Sequence, residues 1–199
     1  MKKIGFLGLG VMGLSMALNV SKKIGVEVIG YDVSETQLHR YREMGGTVAA
    51  SAEELYSTCD VLLQMLPTHA IIQHSVEEAI RLGRPGNIIV DLSSAAPDII
   101  LDLNKKAMNA GMFLLDSPVS GGNPMAEAGT LSIMTGGDPQ AFEKVSVDTG
   151  CKRKLTQNSF MQTGLTMGKG ADIFALVSRG HRSDRIPPRE SPRRAHGTL

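Results

Sequence analysis

Gly8, Gly10 and Gly13 form a GxGxxG run, and an acidic residue, Asp32, closes the next apolar stretch. These residue types at this spacing suit a pyrophosphate. Gly8 permits a sharp turn after the apolar strand formed by Ile4, Phe6 and Leu7. Gly10 lets the backbone approach a diphosphate closely, and Gly13 allows the following helix to pack on the strand. Met12, Met16, Ala17 and Val20 recur at helical spacing, so the free N–H groups of that helix's first turn point back at the loop. Leu9, Val11 and Met12 complete the cradle. A carboxylate at Asp32 can accept both hydroxyls of an adenosine ribose and repels a 2′-phosphate, which favours NAD over NADP. Arg40 and Arg42, on the next predicted helix, leave NADP open. A helix-capping role for Asp32 is the plainer alternative, although Ser34 can cap equally well.

Elements that could hold such a site alternate along residues 1–145. Strands are expected at 26–31, 47–49, 61–66, 87–91 and 112–115, and helices at 35–44, 70–82 and 97–110. Ser51, with Glu54 as its capping-box partner, opens a further helix. Together with the first strand this makes an α/β fold: a doubly wound Rossmann sheet, mainly parallel, in strand order 3-2-1-4-5-6. The ligand crevice belongs at the carboxyl edge, where the polar loops 65–69, 91–97 and 116–124 fall. In the last of these, the Ser120 hydroxyl and the N–H groups of Gly121 and Gly122 can hold a substrate carboxylate, or form a tight turn without a ligand.

Composition suits a soluble α/β domain, with 42% hydrophobic residues in a chain of 199. No run is long enough to span a bilayer and no cleavable leader is visible, so the cytoplasm is the expected compartment. Cys59 and Cys151 form no CxxC, and Cys59, opening an apolar strand, reads as a buried thiol. The five histidines have no ligand spacing and no metal is expected. Charge divides the chain. Residues 1–145 hold 11 Lys/Arg against 16 Asp/Glu, net −5, whereas 146–199 hold 10 against 4, net +6.

The series GLGVMG, YDVS, MLPT, DLSSAAP, DSPVSGG and GTLSIMTGGD, in this order, resembles the β-hydroxyacid dehydrogenase family, which includes 3-hydroxyisobutyrate dehydrogenase and tartronate semialdehyde reductase (2-hydroxy-3-oxopropionate reductase). It covers residues 1–145, the expected NAD(P)-binding domain. The paired serines of DLSSAAP and the proline of SGGNP lean towards tartronate semialdehyde reductase. The 6-phosphogluconate dehydrogenases share the GLGVMG start, but no phosphate-binding set for their larger substrate is visible. The resemblance implies pyrophosphate contacts at 8–13, ribose contact at Asp32, a nicotinamide side lined by Leu66 and Pro67, and a cofactor contact at Ser94. It further implies that Ser120, Gly121 and Gly122 bind the carboxylate of a small 3-hydroxy acid or its semialdehyde. Hydride would pass between nicotinamide and the hydroxyl-bearing carbon, with a lysine as general acid/base.

That lysine, which in the family opens a helix ahead of paired amides, has no counterpart in signature. An ungapped count sets Lys169 near its place, followed by Ile173 and Phe174 where amides belong, while a gapped match sets Ala175 there. The family's all-α C-terminal domain is replaced by a basic extension, 146–199, expected to be irregular and partly disordered. A reading-frame change near Val145, a proline-arginine peptide ligand and a polyanion-binding tail are the alternatives for it. The frame change is preferred because the resemblance stops within a helix, and the tail has neither aromatic interleaving nor a recognised nucleic-acid module. Two functions follow: a dehydrogenase, or a truncated dinucleotide-binding module without turnover. Loss of the C-terminal domain is expected to remove the family-type oligomer and to expose apolar surface beyond residue 135.

Overall fold

A computed structural model describes residues 3–24, 26–148, 152–153 and 173–175. Six strands form the predicted parallel sheet: β1 (Ile4–Leu7), β2 (Val28–Tyr31), β3 (Thr47–Val48), β4 (Val61–Gln64), β5 (Ile88–Asp91) and β6 (Phe113–Asp116). Their order is β3-β2-β1-β4-β5-β6, the doubly wound arrangement expected from the alternation. Helices α1 (Val11–Ile24), α2 (Glu35–Glu43), α3 (Ala52–Thr58), α4 (His69–Leu82) and α5 (Pro97–Asn109) are its crossovers.

The central strands are buried on both faces, which explains their unbroken apolar sequences. Ile88 and Val90 of β5 face a core shared with α1 and α2, through Leu14, Val20, Leu38 and Tyr41. Ile89 faces the opposite core, with Leu55 of α3, Val76 of α4 and Leu103 of α5.

Several ends differ from expectation, each for a hydrogen-bonding reason. The second strand starts at Val28 because that residue pairs with Ile4, where β1 begins. The sixth starts at Phe113 because the Met112 N–H turns back to the Ala107 carbonyl and closes α5 instead of joining the ladder. Ser51 caps α3, accepting the Glu54 N–H at 3.3 Å, but the Glu54 carboxylate reaches back one residue further, to the Ala50 N–H at 2.7 Å.

After β6 the chain makes β7 (Val119–Ser120), α6 (Gly122–Ala128), β8 (Ser132–Met134) and α7 (Pro139–Asp148). β7 and β8 pair antiparallel, and Asp116 and Gly136 exchange two backbone hydrogen bonds. β9 (Lys152–Arg153) and β10 (Ile173–Ala175) extend this second sheet in the order β7-β8-β10-β9. Ala175 thus sits on a strand, not at the start of a helix; Lys169 and Cys151 lie outside the described residues. The expected apolar surface beyond residue 135 is not seen among the described residues, because Ala141, Phe142 and Val145 of α7 pack into the first core.

Candidate cofactor site

The loop from Gly8 to Gly13 leaves β1 at the carboxyl edge of the sheet. Gly8 has φ +91°, and a Cβ there would collide with the Met65 carbonyl and lie 3.2 Å from Leu66 Cδ2. A Cβ on Gly13 would overlap the Gly8 carbonyl oxygen and meet the Phe6 ring at 3.2 Å, so this glycine sets how closely α1 packs on β1. Gly10 differs from both. Among the described residues, chain neighbours aside, nothing lies within 4 Å of a Cβ built on it, so no contact among them requires a glycine there. The first bond of α1 runs from the Leu14 N–H to the Gly10 carbonyl at 3.0 Å, which leaves the Val11, Met12 and Gly13 N–H groups without acceptors in their own helix. Such groups at a helix N-terminus attract a phosphate. The fit to a pyrophosphate is therefore good: the two demanded glycines shape the cradle, and Gly10 keeps its mouth open.

Asp32 lies one residue past β2. Its Oδ2 accepts the Leu9 N–H at 2.7 Å and its Oδ1 the Ser34 N–H at 2.9 Å. The carboxylate is half-buried and joins the glycine loop to the turn before α2. Ser34, not Asp32, is the N-cap of α2, and its side chain makes no capping bond. Leu9 enters the site through its backbone alone, since its side chain is fully buried in the core. Arg40 and Arg42 are exposed on the last turn of α2.

Because the strands are parallel, the loops after β4 and β5 emerge beside the glycine loop. Leu66 packs against Gly8, and Pro67 is exposed. The two serines of DLSS face opposite ways. Ser94 is exposed at the edge, whereas Ser93 is buried and its hydroxyl accepts the Leu66 N–H at 2.9 Å.

Beneath these loops runs a polar row that was not singled out in the sequence. Gln64, Asp91 and Asp116 end three neighbouring strands in register. Gln64 Nε2 donates to Asp91 Oδ1 at 3.2 Å, the Ser93 N–H donates to the same oxygen at 3.2 Å, and Ser75 Oγ donates to Gln64 Oε1 at 2.7 Å. Tyr56 Oη donates to Ser75 Oγ at 3.2 Å. Burial pushes the Asp91 carboxyl above the ordinary carboxylate range, against the opposing hydrogen bonds from Ser93 and Gln64. A signal did exist in the sequence: Asp-x-Ser recurs in YDVS and DLSS, and in both the carboxylate takes the N–H two residues on.

On the far side, Ser120, Gly121 and Gly122 are exposed where β7 passes into α6, with φ of +137° at Gly121 and +67° at Gly122. Asn19 of α1 fastens this segment, its Nδ2 donating to the Ala126 carbonyl at 2.7 Å and to that of Glu127 at 3.1 Å. A partly open cavity of about 70 Å³ under α1, α6 and α7 is lined by none of the candidate residues. Cys59 is buried, as expected, and burial raises its thiol pKa. Among the described residues no group of acidic, His or Cys side chains could hold a metal, and no helix is long and apolar enough to cross a membrane.

Residues 3–147 match the model of the NAD binding domain of 6-phosphogluconate dehydrogenase. The chain belongs to that family of NAD-binding domains. Within it, the chain is similar to the mitochondrial 3-hydroxyisobutyrate dehydrogenase of Drosophila melanogaster, at 37% identity over 77% of this chain and 47% of that protein. It is also similar to the 2-(hydroxymethyl)glutarate dehydrogenase of Eubacterium barkeri, at 36% identity over 72% and 48%. The structure of a 3-hydroxyisobutyrate dehydrogenase of Mycobacterium tuberculosis with L-serine superposes with a TM-score of 0.70 at 33% identity, covering 75% of this chain and 51% of that one. The part matched is thus the N-terminal, NAD(P)-binding domain of a β-hydroxyacid dehydrogenase. This chain spans about half the length of the relatives it matches.

Proposed function

We propose that this chain binds NAD(P), with a lean to NAD, and serves hydride transfer between the nicotinamide and a small 3-hydroxy acid or its semialdehyde, of the tartronate semialdehyde/glycerate or 3-hydroxyisobutyrate type. The observation that carries the cofactor part is the contrast among the three glycines. Two are demanded by contacts within the protein, and the third, Gly10, only by something that comes to the loop from outside. Pyrophosphate would lie over residues 8–13, the adenosine ribose on Asp32, and the nicotinamide side against Leu66, Pro67 and Ser94. Bound there, the nicotinamide would supply the hydride acceptor or donor.

The protein's part is orientation. The Ser120 hydroxyl and the N–H groups of Gly121 and Gly122 would fix the substrate carboxylate, which presents the neighbouring carbon to the ring. Names of relatives support this substrate class: hydroxyisobutyrate, hydroxymethylglutarate and serine share a carboxylate with a hydroxyl on a nearby carbon.

A second reading is a dinucleotide-binding module without turnover. It is favoured by the loops 65–69, 91–97 and 116–124, none of which contains a lysine to move the proton. One experiment separates the two: NADH binding by fluorescence, together with NADH oxidation in the presence of tartronate semialdehyde or methylmalonate semialdehyde. Binding with oxidation supports the dehydrogenase, binding alone supports the module, and no binding removes both.

A further inference from the structure

We infer that Asp91 is a positioning residue for the nicotinamide half of the site, acting through Ser93 to hold the 65–69 and 91–97 loops at a fixed separation. The inference rests on the proposed binding of NAD(P). It starts from an energetic oddity. Asp91 has no exposed surface, and a carboxyl group buried in this way is costly unless its hydrogen bonds return that cost. Oδ1 has two donors, Gln64 Nε2 and the Ser93 N–H, while Oδ2 is buried with no partner among the described residues. An apolar residue would pack at the end of β5 without that orphaned oxygen, so what Asp91 contributes is found in what Oδ1 holds.

It holds Ser93. With its N–H on Oδ1, Ser93 turns its hydroxyl towards the neighbouring loop and accepts the Leu66 N–H at 2.9 Å. Residues 65 and 66 are then tied on two sides, because the Met65 N–H donates to the Leu7 carbonyl at 2.9 Å. Gln64 is clamped from the other direction by Ser75, itself bonded to Tyr56. The chain Tyr56–Ser75–Gln64–Asp91–Ser93–Leu66 therefore runs from α3 and α4 to the loop carrying Leu66 and Pro67. Asp116 ends the adjacent strand in the same row and is also buried, so the row is locally acidic. None of these groups belongs to the glycine loop or to Asp32. Their effect should fall on the nicotinamide end and spare the adenosine end.

The test uses the full chain and two ligands, NADH and ADP-ribose, the second lacking the nicotinamide. Dissociation constants are measured calorimetrically for the native chain and for Ser93→Ala, Asp91→Ala and Asp91→Asn, with circular dichroism reporting the fold. Ser93→Ala and Asp91→Ala are expected to weaken NADH about tenfold while ADP-ribose changes less than about twofold. Asp91→Asn keeps an oxygen where Oδ1 stands and is expected to recover most of the NADH affinity. Unchanged NADH affinity, an equal loss of both ligands, or an Asn variant no better than Ala overturns the positioning role. If Asp91→Ala does not fold, Ser93→Ala, a smaller change, decides alone. A native chain that binds neither ligand overturns the cofactor reading itself, and this inference with it.

Discussion

Leu9 donates its N–H to Asp32 Oδ2 at 2.7 Å, so the residue proposed to read the ribose also holds the middle of the glycine loop. The two roles are compatible because a carboxylate has lone pairs to spare beyond one backbone donor. They also make Asp32 more than a discriminator. Asp32→Ala is expected to weaken NADH by about tenfold, as the loss of hydrogen bonds to a charged group implies, and to bring NADH and NADPH affinities together. Titration with both cofactors checks it. If the ratio of the two affinities stays fixed while NADH weakens, Asp32 is a loop anchor only.

Gly13 and Gly10 predict opposite phenotypes. Gly13→Ala puts a methyl group onto the Gly8 carbonyl oxygen and should cost about 2 kcal/mol or more of stability by overpacking. At Gly10→Val the added Cβ has no described atom beyond its chain neighbours within 4 Å, so stability should change by no more than about 1 kcal/mol, yet NADH binding should be abolished. Urea unfolding and NADH titration of the two variants settle the matter. A Gly10→Val protein that binds normally would count against the whole cradle.

Much of this site was legible because its logic is local. The GxGxxG spacing, the strand before it and the helix after it lie within one stretch of chain, and Asp32 directly follows the next strand. Strand order followed from alternation and handedness. What stayed hidden depends on which way a side chain turns at a strand end. Ser93 and Ser94 are identical neighbours, and only the register of β5 with β4 sends the first inward to Leu66 and leaves the second exposed. Gln64 is the polar residue of VLLQML, and its amide is the bridge between Ser75 and Asp91. The second sheet was also unread, because β7 and β8 are two and three residues long and too short to show a period.

Burial of Asp91 carries a pH signature. Its carboxyl is pushed above its ordinary range, so over the interval from that range up to the folded value the native state binds more protons than the unfolded state. Stability contributed by this group is therefore greatest below the unfolded pKa and is lost as pH rises through the folded one. Gln64, Ser93 and, in the same row, Asp116 are the polar neighbours in play. Asp91→Asn cannot ionise and should flatten that part of the profile. Urea midpoints at a series of pH values from about 4 to 8 make the comparison, and parallel profiles for the two proteins would remove Asp91 as their source.

Asn19 offers the last test, because it links the helix of the cofactor loop to the helix that follows the candidate substrate loop. Its amide serves the carbonyls of Ala126 and Glu127 at the end of α6, the first of which also accepts the Gly129 N–H at 3.2 Å. A Schellman turn closes the same end, with the Thr130 N–H on the Met125 carbonyl at 2.8 Å and Gly129 left-handed at φ +63°. Asn19→Leu retains bulk but removes both donors, and should cost about 1–2 kcal/mol. Because α6 is only seven residues long, that loss should fall on local opening of the segment 120–130 before it reaches the parallel sheet. Hydrogen exchange is the measurement: amides of α6 are expected to lose protection while those of β1 and β4 keep theirs. A uniform loss across the domain would mean that Asn19 supports the core and not the loop.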